Sequence, residues 1–530
     1  MLSMPFSAFL EGFKVRIPAF GMEYLFMTLF FASITMTPEL LGTINNATKN
    51  IIALAGVGVM LACTGLVLFA RRHVEGVDVQ IHPALGMGFL SLLFLGIMQG
   101  VHGVTQMGFS GVAFEPGTLL SFVALFCAAF ASYSLAVVLG HTFVRATLYA
   151  LVTVLIFVLG TFGMSFPPEV ESQERAEYHA SLPGSLHVAF FAYRDSLGTM
   201  LAGSGLHTYA EAWAHHRPVT VNTTSLWNED FERAYGLIPT LAVTGGSVLM
   251  VFYMLALAGV VKRSLDAKRY SLPRVVLILG SASLAILLSF VAYTPHLGIF
   301  VVLGVMLGLM LSFSNRVRFR KPIFARWALT FFAIFCISLG LILGTIALVR
   351  TLSLSAYSQA IALKESDAGI VTVLNVLEQS IRYEHTLVAT REASALHYQE
   401  AQALLQKEVV TDSDRREAET HLHAANTYES TVFALGDVTY RAHIRAGNIV
   451  VLLGIVRGNR EEIELGIERY RSAQTVAPNH PLAFFLEAQA LVVLGNTDGA
   501  RIALRKTLHL KPDYPNAQEL IERLNAQSVP

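Results

Sequence analysis

Long apolar runs dominate the first 350 residues of the chain and predict transmembrane helices. A spanning helix needs roughly 20 mostly apolar residues to cross about 30 Å of hydrocarbon, because unpaired backbone groups cannot be left in lipid. Nine runs fit this description, at 23–37 (with an earlier start near Ile17 left open), 51–70, 83–101, 119–139, 147–165, 238–261, 275–293, 297–313 and 327–349. The sequence therefore predicts an all-α, polytopic bundle of about nine spans in a domain at 1–350.

The pattern changes after Arg350 to Glu, Gln, Ala, Arg and Leu at helical spacing, with few residues suited to strands. Pro478-Asn479-His480-Pro481 recurs as Pro512-Asp513-Tyr514-Pro515 after 34 residues, the length of a tetratricopeptide repeat. Small and large packing residues stand at the positions this repeat uses, namely Phe484, Ala488, Leu491, Gly495, Ala500 and Leu504, and in the preceding unit Gly454, Gly466, Tyr470, Ala473 and Pro478. We predict a second domain at 351–530, a soluble α-helical solenoid similar to tetratricopeptide repeats (TPR-like). Its groove either holds a protein partner, or the array serves as a spacer or oligomer contact.

A long polar stretch, 166–236, separates the fifth and sixth apolar runs. Within it, residues 182–201 carry apolar side chains at helical intervals with polar ones between them, which predicts a helix that lies along the membrane surface. Gly203-Ser204-Gly205 follows and predicts a tight turn. This stretch is where we expect any chemistry.

Composition and charge agree with a membrane protein and give its orientation. The chain is 54% hydrophobic and only 14% charged, against about 25% charged residues in soluble domains. With the N-terminus in the cytoplasm, fifteen Lys and Arg residues fall in the inner loops and only Lys49 in the short outer ones, as cytoplasmic loops require. The long stretch 166–236 and the domain at 351–530 then face outward.

Candidate chemistry is concentrated between His207 and Arg233. His207, His215 and His216 are possible bases or ligands, and Arg217 and Arg233 could hold a phosphate in bidentate geometry. The adjacent pair His215-His216 does not favour a metal site, because neighbouring side chains point apart and no carboxylate stands at the spacing that zinc enzymes use. Cys63, Cys127 and Cys336 lie far apart inside apolar runs, so neither a disulfide framework nor a zinc site is predicted.

The order of motifs in the polar stretch resembles the O-antigen ligase and polymerase superfamily of bacteria, in the branch that carries a tetratricopeptide tail. The matching positions are Leu182-Pro183, Gly203 and Gly205, Tyr209, Arg217-Pro218, Asn222-Thr223-Thr224, Trp227-Asn228, Arg233 and Thr244-Gly245. The resemblance covers this stretch in detail and the other apolar runs only as a general pattern.

The resemblance implies a glycosyltransferase of the bacterial plasma membrane that needs no metal ion, nucleotide or other cofactor. Such enzymes move a glycan from a polyprenyl-diphosphate carrier to a hydroxyl of a glycan, lipid or protein acceptor, on the outer face of the membrane. Arg donors can stabilise the charge that develops on the leaving diphosphate, while a base accepts the hydroxyl proton. By this resemblance the catalytic residues are His207, Arg217 and Arg233, and the substrate contacts are Arg194, Tyr209, Asn222, Trp227 and Asn228. Membrane lipids and a protein in the repeat groove are further expected partners, and nucleic acid is not.

Two departures from the family pattern leave alternatives open. Many ligases have a His just before the span that follows the loop, where this chain has Ala234-Tyr235-Gly236, so the base could be His207, Asp230 or Glu232. The stretch 166–236 also holds four Arg, no Lys and nine acidic residues. Its net negative charge does not attract an anionic carrier. A catalytically degenerate scaffold whose repeats recruit cell-envelope proteins is the alternative. A transporter is less favoured, because we find neither an inverted repeat nor a charge deep in a predicted span.

Overall fold

The computed structural model of the chain describes its second half almost completely and its first half in pieces. The described residues are 55–62, 79–81, 118–139, 180–205, 208–231, 233–269, 274–292, 297–313, 317–319, 322–366, 369–384 and 386–526, with a few isolated positions before residue 148. The predicted spans at 23–37 and 83–101 lie outside this set, as does nearly all of the one at 147–165. The span at 51–70 is described only in part.

The described residues are almost entirely helical, which confirms the all-α class. The helices before the polar stretch and within it are α1 (Thr118–Leu139), α2 (Leu182–Asp195), α3 (Leu197–Ala202) and α4 (Tyr209–His216). They are followed by α5 (Leu237–Arg269), α6 (Arg274–Ser289), α7 (Leu297–Ser312) and α8 (Pro322–Glu365). The remaining helices are α9 (Ile370–Tyr383), α10 (Leu387–Leu405), α11 (Asp412–Ala434), α12 (Tyr440–Arg457), α13 (Arg460–Val476), α14 (Pro481–Val493), α15 (Thr497–Leu510) and α16 (Pro515–Ala526). One small antiparallel pair joins β1 (Val79–Ile81) to β2 (Val317–Phe319), with Val79 opposite Phe319.

Two of the described helices are long and apolar enough to cross a membrane, Leu237–Asp266 within α5 and Ala333–Glu365 within α8. Shorter apolar helices occupy Val123–Ala136, Val275–Ser289, Ile299–Ser312 and Pro481–Val493. The first three coincide with predicted spans, whereas the fourth lies in the predicted outer domain. The structure thus gives two clear candidate spans, and the full count of nine stays a prediction.

Small residues allow the apolar helices to pack closely. At the crossing of α1 and α7, a Cβ on Gly308 would lie 2.2 Å from the Ala129 carbonyl oxygen, and the Ser132 hydroxyl donates to the Val305 carbonyl over 3.2 Å. A Cβ on Gly340 of α8 would lie 2.5 Å from the Gly58 carbonyl oxygen. Close backbone approach at glycine with an interhelical hydroxyl bond is the packing mode of helices in lipid.

The helices from α8 to α16 form an array in which each helix packs against the next. Glycines with positive φ end two of them, Gly458 after α12 (φ 66°) and Gly495 after α14 (φ 79°), and an Asn side chain caps the helix that follows each. Tyr470, Ala488, Leu491, Ala500 and Leu504, which the repeat pattern places in the core, are buried. We call the helices α9–α16 the helical array.

The helical array continues directly from the apolar region. Helix α8 runs without a break from Pro322 to Glu365, so the predicted domain boundary at Arg350 falls inside a continuous helix. Just beyond it, the Ser353 and Ser380 hydroxyls lie 3.1 Å apart and tie α8 to α9. The first helix of the helical array, α9, therefore packs on the extension of a candidate membrane span.

Candidate functional site

The predicted surface helix at 182–201 is two helices. Ser181 caps α2 by accepting a hydrogen bond from the Gly184 amide over 3.2 Å. Ser196 then adopts an extended conformation and caps α3, accepting from the Thr199 amide over 3.0 Å. The prediction of one continuous helix was wrong because a Ser side chain offers the backbone a competing bond that restarts the helix.

The two helices have an apolar face that no described residue covers. The exposed fractions on this face are 41% for Leu182, 56% for Leu186, 58% for Phe190, 69% for Leu197 and 43% for Leu201. On the opposite face, Val188 and Ala192 are buried in a cluster that includes residues of α4. An amphipathic surface packed on the beginning of α5 is typical of a helix that lies in the membrane interface.

The turn Gly203-Ser204-Gly205 fills a break in the candidate span α5. Gly246 has φ 63° and ψ −168°, so helical geometry stops there and the preceding carbonyls lose their usual donors. The Ser204 amide donates to the Val243 carbonyl over 2.9 Å, and the Gly205 amide donates to the Thr244 carbonyl over 3.0 Å. The turn thereby satisfies the backbone that the break exposes, as non-helical backbone near lipid requires.

Arg217 is buried, with 1% of its surface exposed, and bonds to protein acceptors. Its Nη2 donates to Asn222 Oδ1 over 3.0 Å and to the Trp227 carbonyl over 2.7 Å. Asn222 is also buried, and its Nδ2 donates to the carbonyls of Asn479 (2.8 Å) and Leu510 (3.1 Å). Two predicted site residues thus connect the polar stretch to the helical array.

Trp227 continues this contact through its ring. The ring centroid lies 5.9 Å from His480 and 5.4 Å from Tyr514, and the ammonium of Lys511 stands 5.2 Å from it. Lys511 also donates to the Asn222 carbonyl over 2.8 Å. His480 and Tyr514 are equivalent positions of the 34-residue repeat, so two successive repeat turns hold one Trp.

Asp230 and Asn228 complete the contact at the first turn of α12. The Tyr440 hydroxyl donates to Asp230 Oδ1 over 2.7 Å, and Arg441 bonds to both the Asp230 carboxylate and the Asn228 carbonyl. Tyr440 and Arg441 begin α12, His480 caps α14, and Tyr514 precedes α16. The contact therefore lies at the N-terminal ends of three helices, whose dipoles favour a carboxylate there. We call this set, from Arg217 to Asp230 with Tyr440, Arg441, His480, Lys511 and Tyr514, the loop–array junction.

Burial shifts the ionisation of the loop–array junction. It lowers the pKa of His480 well below its usual value, and the nearby charges of Arg217 and Arg441 add to the effect. Burial also lowers the pKa of Arg217, which nevertheless stays charged because an Arg pKa is above 12 to begin with. Burial raises the pKa of Tyr440, and the Asp230 carboxylate raises it further.

The other predicted site residues do not come together. His207, and Glu232 among the alternative bases, lie outside the described residues. Tyr209 is buried under α2, where burial raises its pKa to about 12. Arg233 and Arg194 are exposed, and the Arg194 guanidinium lies 5.5 Å from the Phe190 ring centre.

Arg194 and Arg233 lie near opposite ends of α2. The Tyr235 amide, two residues after Arg233, donates to Ser185 Oγ in the first turn of α2, whereas Arg194 is in the last turn. Nine residues of α-helix from Ser185 to Arg194 correspond to about 14 Å. The structure therefore places the two Arg residues beside different turns of α2.

His216 and Asp195 form a pair beside Arg194 that the sequence did not predict. His216 Nε2 lies 2.8 Å from Asp195 Oδ2, and the two side chains are 12% and 50% exposed. The His216 ring stacks on Phe191 with centroids 6.3 Å apart. His216 was among the candidate bases, but Asp195 is 21 residues away and on another helix, so no local spacing could reveal the pair.

Within the described residues, no three His, Cys, Asp or Glu side chains converge in a way that could hold a metal ion. Comparison with known proteins does not add an identity: no protein-family model matches the chain, and no curated protein matches it.

Proposed function

We propose that the chain is a glycosyltransferase of the bacterial plasma membrane, similar to O-antigen ligases, with about nine spans and an outward TPR-like array. The observation that carries the proposal is the amphipathic surface of α2 and α3, which presents the exposed Arg194 guanidinium next to apolar side chains that no described residue covers. A polyprenyl-diphosphate glycan has the same two parts, an apolar chain in the membrane and a diphosphate at its surface.

The orientation has support from contacts between distant segments. Strands β1 and β2 belong to two loops that the charge pattern assigns to the cytoplasm, and their pairing requires both loops to be on one side. The polar stretch and the helical array, both assigned to the outside, meet at the loop–array junction. Each of the two contacts joins segments that the charge pattern assigns to the same side of the membrane.

The chemistry requires positive charge where the diphosphate leaves. Arg194 lies beside the Asp195–His216 pair and is our candidate for the reacting diphosphate, whereas Arg233, near the first turn of α2, would bind phosphate at the membrane surface. Arg217 is enclosed by protein and has a positioning role, because it fixes the polar stretch on the array. Because the site is open, it can admit an acceptor hydroxyl of a glycan, a lipid or a protein.

The test is carrier release by the full-length chain in lipid nanodiscs. The probe is the pool of polyprenyl-diphosphate-linked glycans extracted from cells that express the chain, and the readout is free polyprenyl diphosphate. Arg194→Ala should lower the rate by about 100- to 1,000-fold, the usual cost of losing a charge-stabilising donor. Arg382→Ala, which removes an exposed Arg of the helical array, should leave the rate unchanged. No release by the wild-type chain would overturn the proposal.

A catalytically degenerate scaffold is the second candidate, and the loop–array junction favours it. Arg217, Asn222, Trp227 and Asn228, half of the predicted site, serve to hold the polar stretch on the array. For a scaffold, cells carrying Arg194→Ala and Arg233→Ala together should keep the wild-type envelope phenotype, while deletion of 370–530 abolishes it. For the transferase, the double Arg variant and the deletion of 370–530 should each abolish the envelope phenotype.

A further inference from the structure

His216 has the local geometry of a general base. Its Nε2 is 2.8 Å from the Asp195 carboxylate, and a carboxylate accepts hydrogen bonds only, so Nε2 carries the proton and Nδ1 keeps its lone pair. The His216 ring packs between two other rings, with its centroid 6.3 Å from that of Phe191 and 4.7 Å from that of His215. A fixed imidazole with one nitrogen bound to a carboxylate and the other unprotonated can accept a proton.

The protonation state at neutral pH agrees with this role. Burial lowers the pKa of His216, the Asp195 carboxylate opposes this by hydrogen bond and charge, and the nearby His215 and His187 imidazoles lower the pKa further. These are the ionisable groups that act on His216 in the described part of the chain. The imidazole is therefore neutral at pH 7 and able to take up a proton.

Asp230, the alternative base from the sequence that lies among the described residues, already has hydrogen-bond partners. The Asp230 carboxylate receives the Tyr440 hydroxyl and the Arg441 guanidinium, which stabilise its charge and reduce its basicity. His216, in contrast, ends α4 and packs against the end of α2 that carries Arg194 and the exposed Phe190 and Phe191. His216 and Arg194 thus lie at the same end of α2, beside its exposed apolar side chains.

We propose that His216, oriented by Asp195, is the general base that accepts the proton of the acceptor hydroxyl; this rests on the proposed transferase function. The hydroxyl proton passes to His216 Nδ1 as the hydroxyl oxygen forms a bond to the anomeric carbon. The bond from that carbon to the diphosphate breaks, and its electron pair leaves on the diphosphate oxygen beside Arg194. The imidazolium then returns its proton to water. Asp195 is a positioning residue, because it fixes the tautomer and does not touch the substrate.

The first measurement is the rate of carrier release, with the extracted glycan pool as probe. His216→Gln should lower the rate by about 100- to 10,000-fold, the usual contribution of a general base. His509→Ala, an exposed His of the helical array, is the matched control and should keep the wild-type rate. Normal release by the H216Q chain overturns this inference alone, and absence of release by the wild-type chain overturns the proposed function together with it.

The second measurement separates a positioning role of Asp195 from a structural one. In wild type the rate should fall as pH drops through the lowered pKa of His216, below pH 6.5. Asp195→Asn removes the group that raises this pKa, so the fall should move to lower pH while the maximum rate also decreases. A lower rate with an unmoved pH profile overturns the role of Asp195.

The third measurement reports the tautomer without turnover. Nitrogen-15 NMR of the full-length chain with labelled histidine, assigned by difference from H216Q, should show Nδ1 of His216 unprotonated at pH 7.5. A proton on Nδ1 at that pH overturns the proposal.

Discussion

At the scale of single residues, Arg217 shows how burial decides what a charged side chain can do. A guanidinium out of water needs fixed acceptors, and here they are Asn222 Oδ1 and the Trp227 carbonyl. The bond to Trp227 holds the ends of an eleven-residue segment together, while Asn222 in turn reaches two carbonyls of the helical array. Arg217 therefore stabilises the conformation of the polar stretch.

His480 gives the loop–array junction a dependence on pH. Its Nδ1 accepts the Leu482 amide as the cap of α14, and burial lowers its pKa well below the usual value. The unfolded chain therefore binds more protons than the folded one below about pH 6.5, so stability is full above that pH and is lost as pH falls. The loss is at most about 1.4 kcal/mol per pH unit for one group.

The measurement is denaturant unfolding of the full-length chain at pH 7.5 and pH 5.5. His480→Asn keeps a side-chain oxygen for the cap but removes the titrating ring, so its stability should change less with pH than that of the wild type. His397 and His443, whose pKa values burial also lowers, remain in both proteins and cancel in the comparison. Equal pH dependence of the two chains would contradict a buried neutral His480.

What the sequence could predict at this scale was the stretch of chain in which Arg217, Asn222, Trp227 and Asn228 lie. It could not predict their partners, because Asn222 bonds to Asn479 and Leu510, which are 257 and 288 residues away. Periodicity and local spacing contain no information on contacts that depend on how two regions meet. The same limit applies to Asp195 and His216, which face each other from two helices.

At the scale of elements, glycine explains how a turn can enter a broken helix. Gly203 has φ 78°, and a Cβ there would lie 2.3 Å from the Thr244 carbonyl carbon and oxygen. Gly246, at the break, has φ 63°, and its Cβ would lie 2.5 Å from the Gly203 amide nitrogen. Only glycine tolerates both the left-handed backbone and this distance. The sequence predicted the turn but not the break, since the apolar run of α5 continues through it.

Gly203→Ala should therefore destabilise the chain by more than the usual 1 kcal/mol for a strained backbone position, because the contact with Thr244 is to backbone that cannot rotate away. The readout is the midpoint of thermal unfolding in detergent. Gly259→Ala in the same candidate span is the matched control: nothing lies within 4 Å of its Cβ, so the added methyl should leave the midpoint unchanged or raise it slightly. Equal midpoints for wild type and G203A would contradict the packing of the turn.

At the scale of the whole molecule, the loop–array junction restricts how the chain can cross a membrane. The polar stretch precedes α5 and the array follows α8, yet residues of the two contact each other directly. Both must be on one side, so the number of crossings between Leu237 and Glu365 is even. Two crossings, by α5 and α8, satisfy this condition, and so do four if α6 and α7 also span. Charge patterning predicted the same arrangement from the basic residues that end α5.

Reporter fusions test this arrangement. Alkaline phosphatase, which is active only outside the cytoplasm, should be active when fused after Pro530 and inactive when fused after Arg269, because in the proposed topology α5 crosses inward and α8 crosses outward. A green fluorescent protein, which matures in the cytoplasm, should give the reverse pattern at the same two positions. Fusions after Thr223, within the polar stretch, should behave like those after Pro530, since Asn222 bonds to the array. Phosphatase activity after both Thr223 and Arg269 would show that α5 does not span, activity after Arg269 alone would show the reverse orientation, and opposite results at Thr223 and Pro530 would contradict the loop–array junction itself.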